Sequence, residues 1–586
     1  MMKKLFWILS ISFLVLSQTA CDTKVAPQQQ DSTPIATNDD WKQLTLREKI
    51  GQTMMVLSNY NAHKEIGGGS LDSFFVKYPV GGFFIADWFG HAQKPANMSF
   101  EEFIPKMMSE YNAASPFPLF FCEDFEKGAG YTYANCTKMP AIMALGAANN
   151  TDLAYAYGKI VSQESRAMGF NWLLHPVADL NMNPLHPLII ERAISDKAEI
   201  ALPILRAQAQ GMKEHGMIST IKHFPGDGAT IRDQHLITSA NNLSIAEWRK
   251  TFGNIFETVI KDETPSIMLG HIQFPAYQHD SIDGVLPPAT LSKDIMTKLL
   301  KNEMGYRGVL MSDAMNMGGA MGYYESVFEA SVQCFAAGCD MILWPDLAFM
   351  DTVEARILRG EIPMSRLDDA VERIWALREK YNLLEKKPEI ATPLPADHAS
   401  YTEEKLTTLA ESAVTLIQDK NNDIPLSVEK TKKILLINVS YTDARRDRAK
   451  DFVVIKEELT ARGFEVDMVT DFHLWDWEWR LNGELAQYDK FLVCFENSFF
   501  DPVGSSFLKG REAFALWMVR VLPKNKVIAV SFSNPYYNTF YLGTNPLLIN
   551  AYSRDAFMQK AVVKVLMGDV KATEKSPVDL YNPIMR

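Results

Sequence analysis

Apolar and polar positions alternate on two scales along this chain. Short, nearly continuous apolar runs lie at Thr53–Leu57, Val80–Ala86, Pro118–Asp124, Asn171–Val177, Ser219–His223, Ser266–His271, Gly308–Asp313 and Cys339–Pro345. Between them stand longer stretches of helical period, among them Thr151–Met168, Ala198–His215, Ile245–Lys261, Leu291–Glu303 and Ser326–Ala337. The short runs predict strands buried on both faces, as in a parallel sheet, and the long ones predict amphipathic helices. Eight such repeats predict a (β/α)8 TIM barrel over residues 41–390. Residues 391–410 read as a linker leading into a helix. A second, smaller alternation follows over residues 411–586, with strands expected at Ser412–Ile417, Lys433–Val439, Glu465–Val469, Lys490–Phe495, Lys526–Ser531 and Leu547–Ala551. Helical segments at Ala444–Arg462, Gly510–Val521 and Asp555–Met567 complete an α/β sandwich.

The first forty residues belong to neither pattern. Lys3 and Lys4 precede an apolar run, Leu5–Leu16, that is too short for a permanent membrane span, so residues 1–20 read as a signal peptide. Ser17-Gln18-Thr19-Ala20-Cys21 resembles a bacterial lipoprotein cleavage site, with Cys21 as the lipidated residue, and plain secretion is the alternative. Residues 21–40 are polar and read as a tether. The expected location is therefore outside the cytoplasm, on a membrane through the lipid alone or free.

Composition narrows the class. Of 586 residues, 47% are hydrophobic and 22% charged, which is globular, and a net charge of −12 argues against a nucleic-acid partner. The cysteines beyond Cys21 are odd in number, so they do not form a complete disulfide framework. Cys122, Cys339 and Cys494 sit in apolar runs and read as core residues, while a Cys122–Cys136 bridge stays open. His175 and His186 flank Asp179, but no dense Cys/His cluster suggests a metal, and no glycine loop suggests a nucleotide. No cofactor is expected, and the oligomeric state is left open.

Ionisable residues recur where the predicted strands stop: Asp124, Arg192, Lys222, His223, His271 and Asp313. Any one alone is more often a cap or a structural hydrogen-bonding group. Their convergence on the C-terminal rim of one barrel is the signal.

Lys222-His223-Phe224-Pro225-Gly226-Asp227-Gly228, then Asp233-Gln234-His235, resembles the signature of family 3 glycoside hydrolases, most closely the β-N-acetylglucosaminidase branch. The resemblance extends to Pro118–Glu126, to Pro176–Asn181 with Arg192, to Pro287–Ser292, to Gly305–Asp313 and to Ser412–Leu426. Lys127, Ala193-Ile194-Ser195 and Ala314 depart from the family pattern, which bears on sugar preference and on loop shape near Glu126. The resemblance implies that Asp124, Arg192, Lys222 and His223 bind sugar hydroxyls. His271 is a further candidate, divided between site lining and barrel packing.

The chemistry follows from the residue types. Cleaving a glycoside passes through an oxocarbenium-like state, so one face of the sugar needs an anion and the other a proton donor. Asp313 is suited to be the nucleophile, kept ionised by Lys222, Arg192 and His223. His235 is suited to be general acid and then base, with Asp233 fixing its tautomer. The expected activity is a retaining, exo-acting β-N-acetylhexosaminidase on carbohydrate ending in β-linked GlcNAc, from peptidoglycan fragments or other amino-sugar oligosaccharides. Three alternatives remain: a β-glucosidase or β-xylosidase of the same family, an N-acetylglucosaminide phosphorylase, and a catalytically silent glycan-binding protein.

Overall fold

The computed structural model describes residues 39–586 apart from 87–92, 386–389, 441–446, 471–482, 498–505, 509, 574 and 586. The signal peptide, Cys21 and the tether up to residue 38 lie outside the described residues, as does the start of the Ala444–Arg462 helix.

Among the described residues, ten strands precede residue 350: β1 Met54–Leu57, β2 Gly82–Phe84, β3 Phe120–Glu123, β4 Trp172–Leu173, β5 Ile218–Phe224, β6 Ser239–Ala240, β7 Ser266–Leu269, β8 Ile272–Gln273, β9 Val309–Ser312 and β10 Ile342–Leu343. Eight form one sheet in the order β10-β1-β2-β3-β4-β5-β7-β9, and every neighbouring pair is parallel. The sheet comes round on itself where Met311 bridges Met341 and the Ser312 N–H donates to the Met341 carbonyl at 3.0 Å. β6 and β8 pair separately as a short parallel ribbon above this barrel.

All eight expected runs contain a barrel strand, but several strands are shorter than their runs. In Asn171–Val177 only Trp172–Leu173 is regular, because Pro176 has no N–H to give a neighbour. Pairing resumes at Val177, which bridges Lys222 of β5. Successive residues face opposite sides of the sheet. Phe84, Phe120 and Trp172 pack together in one cluster, while Phe83, Phe121 and Leu173 join the larger core beneath the helices. Apolar residues on both faces are what made these runs continuous.

The second sheet comprises β11 Thr415–Asp419, β12 Lys433–Ser440, β13 Glu465–Val469, β14 Lys490–Glu496, β15 Val527–Ser531 and β16 Leu547–Asn550. Its order is β11-β16-β15-β14-β12-β13, antiparallel at β11–β16 and parallel elsewhere.

Two expectations change. The linker of residues 391–410 gives way to its helix early, because His398–Ala413 is helical and buries Leu406, Leu409, Ala410 and Ala413. Those four recur at helical spacing, and the last two pack into the core of the second sheet beside Met143 and Ala144 of the barrel. The Ile245–Lys261 segment is interrupted at Thr251, giving helices Ile245–Lys250 and Phe252–Lys261. Cys122, Cys136, Cys334, Cys339 and Cys494 are free thiols, so no Cys122–Cys136 bridge forms.

The second sheet's domain docks on the loop after β4. Ser195 Oγ donates to the Pro577 carbonyl at 2.5 Å, and Asn181 Nδ2 donates to the Tyr536 hydroxyl at 3.3 Å. It therefore stands beside the rim where the barrel strands end.

Candidate active site

Asp124 and Glu126 follow the end of β3, and Lys222 reaches them from β5. Its Nζ lies 2.5 Å from Asp124 Oδ1 and 2.8 Å from Glu126 Oε1. Arg192 grips the same Glu126 with both edges of its fork, Nε to Oε2 at 2.9 Å and Nη2 to Oε1 at 2.8 Å. Burial opposes charge on Glu126, but Arg192 and then Lys222 outweigh it and hold the carboxyl well below its usual range. Burial also opposes the Lys222 charge, yet Asp124 and Glu126 leave its pKa raised. The result is a rigid polar corner, with the Asp124 side chain 47% exposed toward the opening.

Asp313 follows β9. Its N–H donates to the Leu269 carbonyl at 3.0 Å, and its Oδ1 accepts the Ala314 N–H at 2.7 Å. Oδ2 lies 3.8 Å from His223 Nε2. Burial pushes this carboxyl up, but His223, His271, the Ala314 N–H and His235 together bring it below the usual value. It is an anion at neutral pH.

His235 stands on the loop beyond the Lys222–Gly228 turn. Asp233 Oδ1 accepts both its backbone N–H, at 2.9 Å, and its Nδ1–H, at 2.8 Å. A carboxylate holds the hydrogen on Nδ1 and leaves Nε2 as the nitrogen that exchanges protons. The ring is 34% exposed, whereas Asp233 is buried.

Backbone contacts bring this loop to the loop that follows Asp313. The Gly318 N–H donates to the His235 carbonyl at 2.8 Å and the Gly319 N–H to the Gln234 carbonyl at 3.0 Å. Gln234 Oε1 in turn accepts the His271 N–H at 2.8 Å. Side chains are excluded here: a Cβ on Gly318 would lie 2.3 Å from the Leu236 carbonyl oxygen, and one on Gly319 2.6 Å from His271 Cβ. Asp313, Asp233 and His235 thus lie on one rim.

Several sequence expectations take a different form. His271 is fully buried; its Nε2–H donates to the Ala314 carbonyl at 2.9 Å and its Nδ1 accepts the Thr290 hydroxyl at 2.8 Å. With both ring nitrogens committed it braces the residue after Asp313 and offers nothing to a sugar, which corrects its place among the substrate-binding candidates. Burial lowers its pKa, against the opposing pull of Asp313. Of the three cations expected around Asp313, His223 faces it, whereas the nearer carboxylates of Asp124 and Glu126 engage Lys222 and Arg192. His175 and His186 have separate partners, Gln208 Nε2 at 2.6 Å and Asp227 Oδ1 at 3.0 Å. Among the described residues no group of three His, Cys, Asp or Glu converges as a metal site.

Sequence reading assigned no role to Glu126, Asp179, Asp227 or the Gly318-Gly319 pair. The spacing Asp124-x-Glu126 was a signal for the first. Asp227 takes the His186 Nε2–H, the Gly228 N–H and the Ser239 hydroxyl on Oδ1, which fastens the turn that carries the Lys222–Gly228 run.

With this geometry in place, comparisons with known proteins are informative. The sequence profile of the Glycosyl hydrolase family 3 N terminal domain matches residues 45–377. The chain is 27% identical to a β-N-acetylglucosaminidase/β-glucosidase of Cellulomonas fimi over 493 residues, covering 79% of this chain and 84% of that protein. It is 32% identical to β-hexosaminidase A of Pseudoalteromonas piscicida over 302 residues, 49% of each. A family 3 β-N-acetylglucosaminidase structure from Paenibacillus sp. str. FPU-7 superposes with a TM-score of 0.77 at 25% identity, covering 92% of this chain and 99% of that one. The β-glucoside phosphorylase BglX superposes with a TM-score of 0.78 at 25% identity, covering 94% and 96%.

Proposed function

The chain belongs to glycosyl hydrolase family 3, and from that premise we propose that it is a retaining, exo-acting β-N-acetylglucosaminidase that releases terminal β-linked GlcNAc. In the first step an Asp313 oxygen attacks the anomeric carbon while the His235 Nε2–H protonates the departing oxygen. A glycosyl ester of Asp313 and a neutral imidazole result. In the second step the imidazole takes a proton from water, the water oxygen attacks the same carbon, and Asp313 leaves as carboxylate. Two inversions give net retention. Asp233 stays ionised throughout, holding the ring and stabilising its charged form. Asp124, Arg192 and Lys222 are assigned to the hydroxyls of the non-reducing sugar, where charged partners make strong, directional hydrogen bonds; His223, expected among them, has Nδ1 on Asp179 and Nε2 facing Asp313 and is assigned to the nucleophile's surroundings instead.

The observation that supports this reading is the pairing of Gly318 and Gly319 with His235 and Gln234, which brings the His235 loop against the loop of a buried anionic aspartate. The test is His235→Ala assayed on chitobiose and on p-nitrophenyl GlcNAc, together with trapping by a 5-fluoro glycosyl inactivator. Loss concentrated on the poorer leaving group, and a glycosyl adduct on Asp313, are expected. Equal rates for both substrates in the variant and the unaltered enzyme overturn the assignment.

A second reading has one specific support. An imidazole is uncharged after giving up its proton and does not repel an anionic acceptor, so phosphate can replace water in the second step. The likeness to a β-glucoside phosphorylase points the same way. A panel of p-nitrophenyl glycosides assayed with and without phosphate separates hydrolysis from phosphorolysis and GlcNAc from glucose.

Attachment through lipid on Cys21 is part of the same proposal, supported by Lys3-Lys4, the apolar run Leu5–Leu16 and the small residue before Cys21. It places the enzyme where peptidoglycan fragments are met. Replacing Cys21 with Ser and following fractionation with the membrane checks it.

A further inference from the structure

A second carboxylate–imidazole pair borders the nucleophile and has no part in the proton transfers above. Asp179 lies past β4, in Pro176-Val177-Ala178-Asp179, and is buried. Its Oδ1 accepts the backbone N–H of His223 at 3.2 Å and that of Asp227 at 2.7 Å. Its Oδ2 lies 2.6 Å from His223 Nδ1. A carboxylate can only accept, so Nδ1 carries a hydrogen. Nε2 is left, and it faces Asp313 Oδ2 at 3.8 Å. The imidazole therefore stands between two carboxylates, with its ring 4% exposed.

We propose that Asp179 is a positioning residue that makes His223 the buried cationic partner of Asp313. The carboxylate–imidazolium pair is a fixed dipole with its positive end toward the nucleophile. No proton changes hands through it. In the first step it keeps Asp313 ionised in a buried site, where an anion is otherwise unfavourable. In the second it favours departure of Asp313, because the carboxylate re-forms opposite a positive group already in place.

The other groups around Asp313 do not take this role. His271 has neutral partners on both nitrogens, the Thr290 hydroxyl and the Ala314 carbonyl. His235 has a single carboxylate partner and opens to solvent. The Ala314 N–H is a dipole without charge. Asp227 and Arg192 lie near the pair with opposite signs; Asp227 pairs with His186 through Oδ1, and Arg192 pairs with Glu126. The downward shift of Asp313 has His223 as its largest favourable cause.

The inference rests on Asp313 being the nucleophile, and its test is the pH profile of kcat/KM for Asp179→Asn. Asparagine keeps Oδ1 for both backbone N–H groups and places an NH2 against Nδ1. That loses the charge and leaves the ring neutral, with its hydrogen on Nε2. A nucleophile that is harder to ionise moves the acidic limb of the profile to higher pH, here by about 1 unit. In a His223→Ala background the same substitution should move that limb no further. An unmoved acidic limb in folded Asp179→Asn enzyme overturns the inference, whatever its yield or KM, because a purely structural role does not act on that limb. If Asp179→Asn does not accumulate folded, His223→Gln takes its place: it removes the positive end and leaves Asp179 intact. The same upward shift is then expected, and its absence is equally decisive. Trapping with the 5-fluoro inactivator distinguishes the two levels: an unaltered enzyme that forms no adduct on Asp313 sinks the nucleophile assignment, and this inference with it.

Discussion

Two aspartate–histidine pairs flank Asp313, alike in contact and unlike in surroundings. Asp179–His223 is made at 2.6 Å and Asp233–His235 at 2.8 Å, and in both the carboxylate holds Nδ1. The rings differ in exposure, 4% for His223 and 34% for His235. In the proposed mechanism the same pair of side chains therefore does two kinds of work. An imidazole open to solvent can pass a proton to a leaving group and recover one from water. An imidazole sealed between two carboxylates has no exchange partner and acts through its charge and orientation. Secondary structure sets the difference: His223 is part of β5, and His235 stands on a loop held by backbone hydrogen bonds to Gly318 and Gly319.

Removing the aspartate that both pairs are proposed to serve gives the largest effect. Asp313→Asn keeps size and hydrogen bonding but abolishes the nucleophile, and kcat/KM should fall by more than about 10⁴-fold. Steady-state assay of well-folded protein, checked by circular dichroism, reads this directly. A loss of less than tenfold would mean that neither pair serves this aspartate.

Breaking the open pair should cost less, and the loss should depend on substrate. His235→Ala removes general acid catalysis, worth about 10²–10⁴-fold for a sugar leaving group and far less for an activated phenol, which departs unaided. The same lesion on the closed side has no such dependence on leaving group, since His223 gives no proton to it. Plotting log kcat/KM against leaving-group pKa for each variant is therefore the sharpest test of the contrast: a steep slope for His235→Ala and an unchanged slope for Asp179→Asn.

Gly318→Ala probes how the open pair is held. Its Cβ would meet the Leu236 carbonyl oxygen at 2.3 Å and the His235 carbonyl oxygen at 2.9 Å, so the Asp233–His235 loop must retreat. Displacements on the order of 1 Å cost up to about 10²-fold in positioning-dependent catalysis. We expect a loss of about tenfold in kcat, with the β5 pair and the acidic limb untouched. Equal losses for Gly318→Ala and Asp179→Asn in both kcat and pH profile would dissolve the distinction between the pairs.

The fold was largely legible in advance because most barrel strands are apolar on both faces, a pattern that needs no partner to be recognised. The second sheet was legible for the same reason, as Ile434–Val439 and Val527–Ser531 illustrate. What failed to show were features set by closure. The extent of the His398–Ala413 helix did not show, because polar residues fill its outer face and Pro393 and Pro395 precede it. Asp179 and His223 are 44 residues apart and meet only once β4 lies beside β5. His271 looked like a site residue because it ends a strand, and nothing local announced that Thr290 and the Ala314 carbonyl would take both its nitrogens. Asp233 and His235 were readable as a pair because they sit two residues apart, within reach of each other in any tight turn. Local pairs can be seen in a sequence; pairs across strands cannot.

The smallest expected effect concerns the corner that the closed pair shares with the sugar. Arg192 holds Glu126 through Nε and Nη2, and Glu126 in turn holds Lys222 against Asp124. Arg192→Lys keeps the positive charge but replaces a two-pronged planar contact with a single ammonium. Losing one charge-assisted hydrogen bond is worth about 1.5 kcal/mol, or roughly tenfold. If the corner orients sugar hydroxyls, as proposed, and does not touch the breaking bond, this loss should fall on KM, with kcat and both pH limbs nearly unchanged. If kcat falls with KM constant, Arg192 acts on the transition state. The closed side would then be coupled to the chemistry through Glu126 and Lys222 as well as through His223, and the clean division between a proton-carrying pair and a charge-holding pair would give way to one continuous network.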